Sequence, residues 1–201
     1  MFEKPATTTV PIAELLARRW SPRALDPQRP VAREHLLALL EAARWAPSCF
    51  GDQPWHYVIW DRFRDAERWA QAFATLTEGN RGWAGRAPLL LLAVAATTFR
   101  HNGKPNPWGP YDTGAASLSL CLQASALGLV AHQMGGFDRA AIATVAGLPD
   151  GFLPQAMIAV GHPGALELLD ATQQAKERAP RTRLPLDQIA FEAGWGTGVS
   201  A

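Results

Sequence analysis

Apolar residues recur along this chain with two periods. Between Ile12 and Arg19, the positions Ile12, Leu15 and Leu16 share one side of a helix. Thr9 and Pro11 stand where a cap and a first turn belong, and Pro22 stops the run. From Arg33 to Trp45, a second helix places Leu36, Leu37, Leu39, Leu40 and Ala43 inward and ends before Pro47. Trp55 to Trp60, aromatic and β-branched, predicts a strand. Asp65 to Leu76 has amphipathic helical spacing. Pro88 to Ala96 is continuously apolar, the pattern of a strand buried on both faces. His101 to Pro110, rich in Gly and Pro, predicts a loop.

Asp112 to Val130 is different in kind. Ala115, Ala116, Ser117, Ser119, Ala124, Ser125 and Ala126 alternate with leucines. A helix small and apolar all round is a buried one, at the centre of a domain or of a dimer. Asp138 to Ala146 follows as a short helix, with Asp138 as cap and Gly147 and Pro149 as stop. Gln155 to Val160 predicts a strand, ended by Gly161-His162-Pro163-Gly164, and Ile189 to Phe191 is a strand-like stretch in the tail. Helices and strands mix without a strict βαβ rhythm. The expected fold is therefore α+β, a sandwich with helices covering a mainly antiparallel sheet. No repeat, low-complexity run or linker interrupts the chain, so residues 1–201 are expected to form one domain.

Composition narrows the function classes. With 48% hydrophobic and 18% charged residues over 201 positions, disorder over most of the chain is excluded. A net charge of +1 supplies no global field for nucleic acid or an anionic membrane. Two cysteines, Cys49 and Cys121, make neither a disulfide scaffold nor a four-thiolate metal site. The longest apolar run falls far short of the ~20 residues of a membrane helix. Met1 to Pro5 has no apolar signal core, so a soluble protein of the reducing cytoplasm is expected.

Several chemistries are missing. No G-x-G-x-x-G follows a strand, and Gly194-Trp195-Gly196-Thr197-Gly198 has no helix after it. There is no phosphate-binding P-loop and no G-x-S-x-G elbow. The five histidines lack metal-ligand spacing, so no metal site is expected; Cys121 and His132 could meet in space.

What is present is arginine. Sixteen of the 19 basic residues are Arg, and Trp occurs eight times. Genome composition accounts for such a bias as readily as function does, so position decides. Arg18-Arg19-Trp20-Ser21-Pro22-Arg23 gathers guanidinium forks and a hydroxyl where a helix ends, a set able to cradle a phosphate. Arg181-Thr182-Arg183 is a second cluster, and neither has a matching acidic run nearby. Between Pro47 and Trp55, Ser48 and Gln53 are polar groups at a helix-to-strand junction, where a plain Pro-rich turn is the alternative. Gly135-Gly136 after Gln133-Met134 would let backbone N–H groups approach a ligand, or simply turn the chain before Asp138.

In this order and spacing, the segments resemble the FMN-dependent nitroreductase family, from about Ile12 to Trp195. The resemblance implies that Arg19, Trp20, Ser21 and Arg23 hold the FMN phosphate and the polar ring edge. It implies that Pro47, Ser48, Cys49 and Gln53 reach the flavin from the partner of a homodimer. Asn80 matches an Asn at the ring edge, Gly135 and Gly136 fall at flavin N5, and Arg181 and Arg183 close on the phosphate. Two positions depart from the family's pattern: Gly51 replaces a common Asn, and Trp83 stands where some members have Lys. Phe50, Trp108 and Tyr111 would wall the substrate pocket, and the long Asp112–Val130 helix and the tail from Ile189 to Trp195 would pack against the partner. The implied activity is hydride uptake from NAD(P)H and ping-pong reduction of nitroaromatics, quinones or similar acceptors, with the flavin carrying the chemistry. Dehalogenation, dehydrogenation or flavin breakdown on the same fold, or flavin storage without catalysis, are the alternatives.

Overall fold

Strand β2 (Leu89–Ala96) is the centre of the molecule, and the computed structural model, which describes residues 3–199, builds both cores on it. β1 (Trp55–Asp61) pairs with one edge of β2, and β4 (Phe152–Gly161) with the other. β3 (Val130–Met134) completes a four-stranded sheet of order β1-β2-β4-β3, antiparallel throughout. Because side chains alternate, Leu90, Leu92 and Val94 enter one core and Leu89, Leu91 and Ala93 the other. This is why the run reads as continuously apolar.

The first core is closed by Trp69 and Ala72 of α3 (Ala66–Ala74), Trp83 of α4 (Glu78–Ala84) and Ile142 of α6 (Arg139–Ala146). The second is closed by Leu36, Leu39 and Ala43 of α2 (Arg33–Arg44) and by Ala116, Leu120, Cys121 and Ala124 of α5 (Gly109–Ala126). Helix α3 starts where the Asp65 carboxylate accepts the Arg68 N–H at 3.0 Å. Asp65→Ala is expected to lower the unfolding free energy by about 1 kcal/mol, read by urea denaturation.

Five expectations are corrected. α1 (Glu14–Arg18) begins after Ala13 with no side-chain cap, so Thr9 caps nothing, and Ile12, Leu15 and Leu16 stay exposed. α5 starts inside the expected loop, at Gly109, with Pro110 in the first turn where its missing N–H costs nothing. A Cβ at Gly109 would lie 2.4 Å from the Ala96 carbonyl oxygen, so only glycine lets the helix approach the sheet there. The helix stops at Ala126, and Gly128 at φ +68° turns the chain into β3, which the apolar pattern had merged with the helix. Within one chain α5 buries one face only; Tyr111 and Leu118 on the other are exposed. Ile189 to Phe191 forms no strand; Phe191 makes a lone bridge to Gly198 after a 3₁₀ turn at Leu186–Gln188. Among the described residues, no helix is long and apolar enough to cross a membrane.

Candidate functional site

The arginine segment leaves α1 and runs toward the β3 edge of the sheet. Its members divide. Arg18 pairs at the surface with Glu3 at 3.2 Å and Glu14 at 3.4 Å. Arg23 is held by Glu177, near the end of α7 (Ala171–Arg178): one carboxylate oxygen accepts the Arg23 backbone N–H at 3.0 Å and the other its guanidinium at 3.1 Å. No acidic run stands beside the cluster in sequence, yet single carboxylates answer these two. Among the described residues, the Arg19 guanidinium donates only to Ser21 Oγ, at 3.3 Å. Arg181 donates to the carbonyls of Lys4 and Ala17, both at 2.9 Å. Burial, then the charges of Arg19 and Arg183, pull its basicity below the ordinary guanidinium range. Arg19 and Arg183 therefore each lie close enough to Arg181 for their charges to act on it, and among the described residues no carboxylate bridges any of the three. An anion there would relieve the repulsion. Beside them Lys4 Nζ lies 5.1 Å from the Trp20 ring centre.

The next wall is the turn after β3. The Gly136 carbonyl accepts three bonds, from Thr77 N–H at 3.0 Å, Thr77 Oγ1 at 3.1 Å and Asn80 Nδ2 at 2.9 Å. A Cβ on Gly136 would fall 2.6 Å from Thr77 Oγ1 and 2.8 Å from Asn80 Nδ2, so packing demands glycine. Gly135 is the contrast. Its φ is not left-handed, and nothing lies within 4 Å of an added Cβ. The fold itself does not require glycine there; the open space is what a closely approaching ligand would need.

One turn beyond Asn80 on α4, Trp83 packs against His132 of β3, with ring centres 4.4 Å apart and ring planes tilted by 37°. His132 Nδ1 donates to the Pro22 carbonyl at 3.1 Å, tying β3 to the arginine segment. Burial, helped by the charges of Arg23 and Arg19, pushes its pKa down to about 4, so the ring is neutral at pH 7. Cys121 does not meet it. Its thiol accepts from Gln133 Nε2 at 3.5 Å, and burial pushes its pKa up, which leaves it inert.

The Pro47–Trp55 segment is braced elsewhere. Ser48 Oγ accepts the Gln53 N–H at 3.0 Å, and Cys49 N–H donates to the buried Asp112 carboxylate at 3.0 Å. Asp52, also buried, accepts the Arg100 N–H at 2.9 Å, while the Arg100 guanidinium reaches the Asp52 carbonyl at 2.6 Å. Between these braces Phe50, Gly51 and Gln53 adopt φ of +55°, +65° and +52°. For an L side chain this conformation costs about 1–2 kcal/mol. Gly51 takes it freely, as Asn also can, so the backbone is kept where the Asn side chain is lost. Phe50 is 81% exposed and meets Phe99 and His101 edge-on, at 5.7 and 5.4 Å between ring centres. Trp108 and Tyr111, likewise exposed, meet edge-on at 6.4 Å. Asp112, which anchors this segment, and Cys121, which feels the Arg19 charge, lie nine residues apart on α5. That is about 14 Å along the axis. One chain therefore brings Arg19, Ser21, Arg23, Asn80, Gly135, Gly136, Arg181 and Arg183 to one end of the sheet, and Ser48, Cys49, Phe50 and Gln53 to another place.

A model of the "Nitroreductase family" matches residues 16–162, which span this geometry apart from Glu3, Lys4, Glu14, α7 and the tail arginines. The chain belongs to the nitroreductase family. A crystal structure titled as that of an oxidoreductase containing FMN superposes on this nitroreductase chain with a TM-score of 0.87 and 36% identity, covering 95% of this chain and 96% of that one. An uncharacterized 15.4 kDa protein of Mycolicibacterium smegmatis is 35% identical over 123 residues, 61% of this chain and 82% of its own length. The major NAD(P)H-flavin oxidoreductase of Aliivibrio fischeri is 32% identical over 73 residues, 36% of this chain and about a third (34%) of that protein.

Three residues of this nitroreductase site gave little sequence signal. Glu177 sits in Gln-Gln-Ala-Lys-Glu-Arg, which looks like a solvated charged helix, and its burial depends on a partner 154 positions away. His132 follows an apolar stretch and has no spacing to mark it. Asp112 reads as a first-turn acid, yet it braces Cys49.

Proposed function

We propose that this chain binds FMN at the end of the sheet and works as an NAD(P)H-dependent flavin oxidoreductase. The observation that carries the reading is that Arg181 feels the charges of Arg19, which bonds Ser21, and of Arg183, with no carboxylate among the described residues bridging any of the three. A phosphomonoester carries up to two negative charges at neutral pH and accepts several charge-assisted bonds, which fits this donor set. Arg19, Arg181, Arg183 and Ser21 hold the phosphate. Trp20, Arg23 and Asn80 bound the ring edge, and the Gly135–Gly136 backbone meets the ring at close range. When bound, FMN supplies hydride uptake from NAD(P)H and its delivery to nitroaromatic, quinone or similar acceptors in alternating half-reactions. The protein's own part is to bind, orient and shield.

Pro47, Ser48, Cys49 and Gln53 complete the site from a second copy. Their distance from Arg19 along α5 supports this, as do the exposed apolar face of α5 and the exposed Leu184, Ile189 and Trp195 of the tail. Phe50, Trp108 and Tyr111 then wall the acceptor pocket. Dependence on reduced nicotinamide suits a homodimer of the cytoplasm.

An absorbance spectrum from 300 to 550 nm, taken before and after NADH and NADPH under argon, tests the reading. Two flavin bands that bleach with either donor are expected. A protein that stays colourless after FMN reconstitution overturns it. Sedimentation at micromolar concentration is expected to show a dimer.

The two glycines separate packing from ligand approach. Gly136→Ala is expected to destabilise the fold by about 1–3 kcal/mol, because its Cβ overpacks against Thr77 and Asn80. Gly135→Ala is expected to melt like the parent and to bind FMN about tenfold more weakly, roughly 1.4 kcal/mol. Thermal melts and flavin titration check both.

A further inference from the structure

Of the buried carboxylates among the described residues, Asp52 and Asp112 brace the Pro47–Trp55 segment, while Glu177 lies behind the arginine segment. Its side chain is 1% exposed, and both oxygens serve one residue, Arg23. It shares a small cavity wall with Trp20, Pro22, Ala24 and Val130, on the inner side of that segment. Lys4 holds the end of α7 in place, its ammonium donating to the Glu177 carbonyl at 2.7 Å and the Lys176 carbonyl at 3.3 Å. The Arg23 side chain itself is 31% exposed, and its charge, ahead of that of Arg19, is felt by His132 on the floor of the site.

Resting on the FMN reading, we infer that Glu177 is a positioning residue that fixes Arg23 from behind and offsets its charge, holding down the two-electron reduction potential of the bound flavin. Reduction adds negative charge to a flavin, and positive potential from the protein favours the reduced form. A guanidinium paired with a carboxylate at 3.1 Å presents a dipole, whose field falls off faster than that of a lone cation. The neighbours do not restore the charge: Trp83 has none, and His132 is neutral. Of the remaining cations, Arg19, Arg181 and Arg183 are largely offset by the phosphate's two charges, and the Lys4 ammonium is turned to the carbonyls at the end of α7. The reduced enzyme is then the stronger reductant, suited to acceptors of low potential.

Midpoint potentials of the FMN-loaded parent, Glu177→Gln, Arg23→Gln and the double variant test this, each titrated anaerobically against reference dyes. Glu177→Gln is expected to shift the oxidised–reduced equilibrium about tenfold toward reduced flavin, about 30 mV upward. Arg23→Gln is expected to shift it the other way, and the double variant to return within about threefold of the parent. If Glu177→Gln does not fold, the comparison of Arg23→Gln with the double variant decides, since the double variant removes the buried charges together. A lowered melting temperature with unmoved potential makes Glu177 structural only and overturns the inference while the FMN reading stands. A parent that takes up no FMN overturns the reading, and the inference falls with it.

Discussion

Arg19→Ala is expected to weaken FMN binding about 100-fold, close to 2.7 kcal/mol, while the affinity for riboflavin, which lacks the phosphate, hardly changes. The magnitude follows from removing a charged donor that makes two bonds to a dianion in a partly desolvated corner. The selectivity follows from what Arg19 does in the folded chain. Among the described residues its guanidinium bonds only the Ser21 hydroxyl, so its loss leaves no buried carboxylate stranded and the melting temperature near that of the parent. Arg181 cannot be used in the same way. It also satisfies the Lys4 and Ala17 carbonyls, so Arg181→Ala mixes lost binding with lost tethering of the N-terminal segment. Quenching of flavin fluorescence by the apoprotein, with FMN and riboflavin in parallel, reads the difference. Equal losses for both ligands would mean that Arg19 meets the ring or the ribityl chain, and the phosphate assignment would fail.

The legible parts of the fold were those whose signal is local. β2 declares itself because both its faces are buried, and α3 and α6 because each couples an Asp cap to an apolar stripe. β3 was hidden because α5 and β3 are both apolar and only Gly128 divides them. α4 and α7 were missed because Glu-Gly-Asn-Arg-Gly-Trp-Ala and Ala-Thr-Gln-Gln-Ala-Lys-Glu-Arg lack an apolar stripe; tertiary contacts of Trp83 and Glu177 decide them. The same division runs through the site. The arginine clusters and the paired glycines could be read from residue type. Which arginines already had acidic partners could not, since Glu177 is 154 positions from Arg23, and that distinction is why Arg19, Arg181 and Arg183 are the ones proposed to hold the phosphate.

His132 gives the chain a stability loss in mild acid. Its folded pKa is about 4, against an ordinary value of about 6.5, so between these limits the unfolded chain binds more protons than the folded one. Stability is therefore full above about pH 6.5 and falls as the pH drops toward 4, by roughly 3 kcal/mol in total. The cause is burial first, then the Arg23 and Arg19 charges facing a ring that packs tilted against Trp83 and donates to Pro22. His162 slopes the same way, its basicity lowered by burial and by Arg29, so a parent profile alone does not isolate His132. His132→Gln does. The amide can still donate to the Pro22 carbonyl but does not titrate, so urea midpoints measured from pH 7 to pH 4 are expected to fall much less steeply than those of the parent. Because Pro22 lies between Ser21 and Arg23, protonation of His132 in the parent also places a further positive charge against the arginine segment, and the FMN-loaded protein should resist acid better than the apoprotein. Parallel slopes for the parent and His132→Gln would show that His132 does not couple the anion site to the stability of the sheet.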